Sequence, residues 1–236
     1  MKVAILTAVL LLAISPSAFA QSDLERAKQE FTRLRDELTG TNKISDILFL
    51  LDTSGSLSSS DFDTEKKFVI NFLNTITVRM QAARVEVIPF GERASLYIDG
   101  VSSPSLDKDK CDLFQKLKKM PIYINGFHTS TKSAFQLAYD VCVGKYSGQK
   151  RGPLNQVRTV VILVTDGRWN WPSHDPNPTP IAQSLLAANV EVFAIGVGYV
   201  NLPALQKLVK DPAKQAFHLQ NFDEFDELSL YVRGGK

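Results

Sequence analysis

An acid and two hydroxyls alternate in Asp52-Thr53-Ser54-Gly55-Ser56, directly after the apolar run Ile47-Leu48-Phe49-Leu50-Leu51. Two more oxygen donors lie downstream. Thr129 sits in Gly126-Phe127-His128-Thr129-Ser130-Thr131, and Asp166 follows the apolar run Val160-Val161-Ile162-Leu163-Val164. Strand ends that deliver two carboxylates to one edge of a parallel sheet make a pocket for a hard cation. The five candidate ligands, Asp52, Ser54, Ser56, Thr129 and Asp166, all offer oxygen; none offers imidazole or thiolate. That donor set disfavours zinc and favours Mg2+, Mn2+ or Ca2+. Two carboxylates balance a divalent charge. Neutral hydroxyls fill out the sphere and leave a position for an outside ligand.

Rival chemistries fit these residues less well. An EF-hand starting at Asp52 needs glycine where Leu57 stands and glutamate where Asp63 stands. Gly196-Val197-Gly198 hints at a dinucleotide loop, but Asn201 occupies the third glycine position. A serine hydrolase needs a histidine near Ser54 or Ser56. Of His128, His174 and His218, only His128 is placed for it, beside Thr129. No general base is evident, so the chain reads as a binder and not an enzyme.

The elements that must carry these residues alternate. Strands are expected at Ile47–Leu51, Val85–Phe90, Ala94–Ile98, Val160–Val164, Val190–Val197 and Ala216–Leu219. Gly91-Glu92-Arg93 reads as a hairpin turn. Helices are expected over Asp61–Ile76, Leu106–Lys119, Thr131–Val143, Leu202–Val209 and from near Asp223. A further helix opens at Thr179-Pro180, read as an N-cap followed by proline, and runs to Ala188. Near-continuous apolar strands interleaved with amphipathic helices predict an α/β fold with a doubly wound, mostly parallel six-stranded sheet, helices on both faces. A short helix precedes it, over residues 22–39, with Leu24, Ala27, Phe31, Leu34 and Leu38 on one narrow stripe. That stripe folds back on its own domain or joins a second copy of the chain in a weak homo-oligomer; the first is favoured.

Residues 1–20 read as a secretory signal: Lys2, an apolar core from Ala4 to Ile14, and the small-residue pattern Ala18-Phe19-Ala20. The apolar core is too short to span a bilayer, and no later run is longer, so no membrane span is expected. The chain is therefore expected to be secreted and extracellular. About 215 residues then remain, enough for a helix and linker at 21–42 and one domain at 43–232. Without Lys2 the charge is 26 basic against 25 acidic residues. That balance points to no nucleic-acid partner. The two cysteines, Cys111 and Cys142, are expected to pair in an oxidising compartment; two buried thiols are the alternative. A bond would add about 3–4 kcal/mol.

Asp-x-Ser-x-Ser after a hydrophobic strand, Thr-x-Thr-x-x-Ala, and Thr-Asp-Gly after a second strand occur here at Asp52, Thr129 and Thr165. Together, over roughly residues 44–230, they resemble the von Willebrand factor type A domain, of the matrilin-, collagen- or polydom-like matrix and adhesion kind. The resemblance implies a metal-ion-dependent adhesion site, or MIDAS. Ser54, Ser56 and Thr129 would contact Mg2+ (or Mn2+ or Ca2+) directly, and Asp52 and Asp166 mainly through water. A Glu or Asp of an extracellular protein, such as collagen or another matrix protein, would be the last ligand. It also implies one antiparallel edge strand from the Val85–Ile98 hairpin. Cys111 and Cys142 would fall at the same end of adjacent antiparallel helices, which supports the disulfide. The segment Arg168-Trp169-Asn170-Trp171, directly after Asp166, would line the metal-bearing edge. Trp169, Trp171 and His128 are therefore candidate partner contacts, although the tryptophans could equally pack down as a lid. The competing reading is a structural matrix component whose contacts ignore the metal.

Overall fold

Strand β1 (Ser45–Asp52) is buried at all eight positions, which only a central strand covered on both faces requires. The structure is a computed structural model, and it describes residues 21–40, 44–79, 81–100, 110–145, 157–167 and 177–234. In chain order its elements are α1 (Asp23–Thr39), β1, α2 (Ser59–Asn74), β2 (Ala83–Phe90), β3 (Ile98–Asp99), α3 (Lys110–Lys118) and α4 (Thr131–Cys142). There follow β4 (Arg158–Thr165), α5 (Thr179–Ala187), β5 (Glu191–Val197), α6 (Leu202–Gln206), α7 (Pro212–Gln215), β6 (Ala216–Leu219) and α8 (Phe222–Val232).

The six strands lie in the order β3-β2-β1-β4-β5-β6. All neighbours run parallel except β2 and β3. Strand order reverses at β1, which pairs with β2 on one side and β4 on the other. A crevice opens beyond the C-terminal ends of such strands. Asp52 ends β1, and Asp166 follows β4 immediately.

Alternate residues of each strand feed two apolar layers. Ile47, Phe49 and Leu51 join Phe68, Phe72, Phe193, Phe217 and Phe225 on one face. Leu48 and Leu50 join Phe90, Phe135, Leu163 and Ala194 on the other. Helix α1 completes the first layer. Ser22 caps it, and Phe31 inserts edge-on against Phe68 at 5.4 Å and tilted against Phe193 at 5.5 Å. Ala27, Phe31 and Leu34 are fully buried there. The stripe is thus covered by its own domain, the favoured of the two readings for residues 22–39.

Several boundaries move for local reasons. Helix α2 starts two residues before Asp61, because Ser58 and Asp61 form a reciprocal capping box. The strand expected over Ala94–Ile98 contracts to Ile98–Asp99 plus a single bridge from Phe90 to Ala94. Pro89 has no N–H to give this stretch, and its carbonyl is shared between Ser95 N–H at 3.2 Å and Asn125 Nδ2 at 2.6 Å. Thr179 does not cap α5; its N–H donates to Asn177 Oδ1 at 3.0 Å. The helix expected to reach Val209 ends at Gln206, and the short α7, capped by Asp211, was not foreseen. Cys111 is exposed on α3 and Cys142 buried at the end of α4. Residues 1–20 and the segment holding Trp169 and Trp171 lie outside the described residues. No helix among the described residues is long and apolar enough to cross a membrane.

Candidate metal centre

The turn after β1 is fastened to the neighbouring strand before it offers any donor. Thr53 gives both its N–H and its hydroxyl to Phe90 O, at 2.7 and 2.9 Å. This aims Asp52 and Ser54 to the same side. Asp52 Oδ1 accepts from the Ser54 N–H at 2.9 Å, and Oδ2 accepts from Thr165 Oγ1 at 2.6 Å. The last residue of β4 thereby orients the last residue of β1. Ser54 Oγ and Ser56 Oγ stand 3.0 Å apart, and Ser56 Oγ donates to Asp166 Oδ1 at 2.8 Å.

Thr129 reaches the cluster from the other side of the crevice. Its loop is held by Gly55 N–H donating to Phe127 O at 2.7 Å and Ser130 N–H donating to Gly91 O at 2.8 Å. Gly167 lets it close in. A Cβ at that position would lie 3.0 Å from Thr129 Oγ1 and 3.5 Å from Asp52 Oδ2, so a side chain there would press Thr129 back by a few tenths of an ångström. All five oxygen-bearing residues therefore meet at one edge. Thr53 and Thr165, which position Asp52 and its turn, were not singled out from sequence. Each is a hydroxyl flanking an acid at a strand end, and that juxtaposition was the available signal.

The electrostatics leave the acids uncompensated. Burial, and after it the charge of Asp166, pushes the Asp52 carboxyl up to about 6. Burial likewise raises Asp166. Glu65, fully buried on α2, is held well above the usual carboxylate range by burial first, then by Asp52, Asp166 and Asp61. Neither of its carboxyl oxygens has a hydrogen-bond partner. Among the described residues no lysine or arginine pairs with Asp52, Asp166 or Glu65. A buried, acid-rich edge without a cation suits a divalent ion. The spacing suits one too. Ligands about 2.1 Å from Mg2+ in an octahedron are about 3.0 Å apart along an edge, the separation of the two serine oxygens. Among the described residues no group of three His, Cys, Asp or Glu could hold a metal. A site here must use hydroxyls.

His128 stands at the rim with its Nε2 3.9 Å from Glu92 Oε1. The hydroxyls of Ser54 and Ser56 engage each other and Asp166, with no imidazole between them. Among the described residues no histidine is hydrogen-bonded to either serine hydroxyl.

The family model of the von Willebrand factor type A domain matches residues 46–230. The mouse "Sushi, von Willebrand factor type A, EGF and pentraxin domain-containing protein 1" is 31% identical over 225 residues, covering 92% of this chain and 6% of that protein. Mouse matrilin-2 is 26% identical, covering 80% of this chain and 18% of its own length. The chain thus spans only a small part of the curated relatives it matches. Among solved structures, proximal thread matrix protein 1 of the mussel byssus superposes with a TM-score of 0.67 at 23% identity, covering 81% of this chain and 47% of that one. A second structure of it, described as having a zinc-occupied MIDAS motif, gives 0.65 at 22% identity, covering 83% and 46%. These two likenesses bear on the fold.

Proposed function

This chain belongs to the von Willebrand factor type A domain family, and from that premise we propose that it is a secreted, metal-dependent protein-binding module. Ser54, Ser56 and Thr129 hold Mg2+ or a similar ion through their hydroxyls, and Asp52 and Asp166 balance its charge. The ion supplies an electrophilic position that a Glu or Asp of an extracellular or matrix protein satisfies. The protein's own residues bind and orient, and no bond is made or broken. Secretion is supported by the leader-like residues 1–20, and the module occupies residues 43–232. Cys111 and Cys142 form a disulfide in that compartment.

The observation that carries this reading is the convergence of three neutral hydroxyls, the buried Asp52 and the half-buried Asp166, with no lysine or arginine among them in the described residues. Asp52→Ala and Thr129→Ala should each abolish Mg2+ binding in calorimetry while circular dichroism stays native. Unchanged Mg2+ affinity in both variants would rule the site out. A pull-down from extracellular matrix should recover a partner in Mg2+ and lose it in EDTA. Recovery that persists in EDTA supports metal-independent matrix assembly instead.

A further inference from the structure

Beside the cluster lies an open groove of about 570 Å³ that shares Ser56, Thr129 and Asp166 with it. Its other walls include Phe127, Tyr199 and Phe222. Phe127 is 65% exposed and Tyr199 85% exposed, the two most exposed large hydrophobic side chains among the described residues.

Phe127 is exposed yet held. One flank of its ring rests on Gly55, the residue between the two serines. A Cβ on Gly55 would come within 3.0 Å of Phe127 Cδ1 and 3.2 Å of its carbonyl oxygen. The ring also stacks on Tyr123, with ring centroids 5.0 Å apart and planes at 29°. Tyr123 is itself fixed, its hydroxyl donating to Leu57 O at 2.7 Å, and its backbone adopts φ of +59°. A non-glycine residue in the left-handed region costs free energy and persists only where surroundings impose it. Here that conformation puts the Tyr123 ring under Phe127. The result is a rigid aromatic face at the edge of the metal turn, with its ordering cost met before any partner arrives. Such faces are where binding energy concentrates.

The geometry points to a partner segment in which the metal-seeking glutamate or aspartate is flanked by a large apolar side chain, received by Phe127 and Tyr199. This deepens, and rests on, the metal-dependent reading above. The occupant follows from continuity. Phe127 touches the turn carrying Ser54 and Ser56 and stands two residues from Thr129. A carboxylate brought to the hydroxyl cluster therefore brings its chain neighbours, spaced about 3.3 Å per residue in an extended strand, over the aromatic face.

Two synthetic peptides test this: Gly-Phe-Glu-Phe-Gly and Gly-Gly-Glu-Gly-Gly, both blocked at their ends and titrated into the full chain by NMR with Mg2+ and with EDTA. In Mg2+ the phenylalanine peptide should bind about tenfold more tightly than the glycine peptide. Phe127→Ala should bring that ratio to about one, and Tyr199→Ala, on a separate loop, should lower it about threefold. Equal Mg2+-dependent affinities for the two peptides in the unmodified chain would overturn the aromatic platform and leave the metal site standing. Binding of neither peptide, or binding unchanged by EDTA, would remove both readings.

Discussion

At the N-terminal end of β1, Asp46 is buried and faces Arg84 of the adjacent strand, whose Nε and Nη2 reach its two carboxyl oxygens. At the C-terminal end of the same strand, Asp52 is equally buried and among the described residues meets N–H and O–H donors alone. The pattern extends to β4. At its start Arg158 is bonded by Glu191 of β5 and Glu37 of α1, at 2.8 and 2.7 Å. At its end Asp166 meets the Ser56 hydroxyl. Among the described residues, the chain neutralises its own acids at one edge of the sheet and leaves them uncompensated at the other. Burial is the same at both ends of β1, so the difference lies in where the positive charge comes from. One edge carries it covalently, and the other is built to take it from solution.

The sharpest way to break this comparison is to remove the built-in cation. Arg84 and Asp46 are directly opposed across the parallel pair, with side chains 8% and 1% exposed. Arg84→Ala takes away the guanidinium that faces the buried Asp46, and should cost about 3–5 kcal/mol of unfolding free energy in urea titrations. A loss below about 1 kcal/mol would mean that this edge also tolerates uncompensated acid, and the contrast would fail.

A second test sets pH against Mg2+. In EDTA the folded protein holds a proton on Asp52 up to about pH 6, whereas the unfolded chain releases it near the ordinary aspartate value of 3.8. Between those values the folded state binds more protons than the unfolded state, so stability falls as pH rises. A displacement of about two pH units corresponds to about 3 kcal/mol. Asp166 and Glu65 are raised too and act in the same direction. Mg2+ binds the ionised carboxylates. At about a hundred times its dissociation constant it should restore about 2.7 kcal/mol at pH 7, and much less at pH 5. Urea unfolding across pH 4 to 7, with EDTA and with Mg2+, reads both arms. Stability that rises with pH in EDTA would show that these acids already have partners in the folded state.

Much of this edge was legible in the sequence because its signals are local. The runs at Ile47–Leu51 and Val160–Val164 are apolar at every position, as strands covered on both faces must be, and the donors follow them directly. What stayed hidden depends on contacts between distant segments. Thr165 orients Asp52 across 113 positions, and Gly167 matters because Thr129 comes to rest against it. The stripe of α1 was ambiguous because an apolar face does not name what covers it; Phe68, Phe193 and Phe217 proved to be its neighbours. Trp169 and Trp171 lie outside the described residues; among the described residues the exposed aromatics at this edge are Phe127 and Tyr199. Glu65 was a readable anomaly. It sits three residues from Phe62 and from Phe68, on the buried face of α2, where helical periodicity calls for an apolar residue.

That anomaly gives the test with the smallest effect. Glu65 contributes to the acid excess without a hydrogen bond to either oxygen, and a buried polar group left unsatisfied costs about 1–3 kcal/mol. Leucine fills similar space without that cost, so Glu65→Leu should raise the unfolding free energy by about 2 kcal/mol at pH 7. The gain should grow with pH. The folded wild type retains a proton on this raised carboxyl that its unfolded chain gives up, so its stability declines as pH rises above the unfolded value, and the leucine variant has no such term. Urea unfolding of both proteins in EDTA at pH 5 and pH 7 measures the difference. If the variant is less stable than wild type at both values, Glu65 has a stabilising partner, and the uncompensated charge at this edge is confined to Asp52 and Asp166.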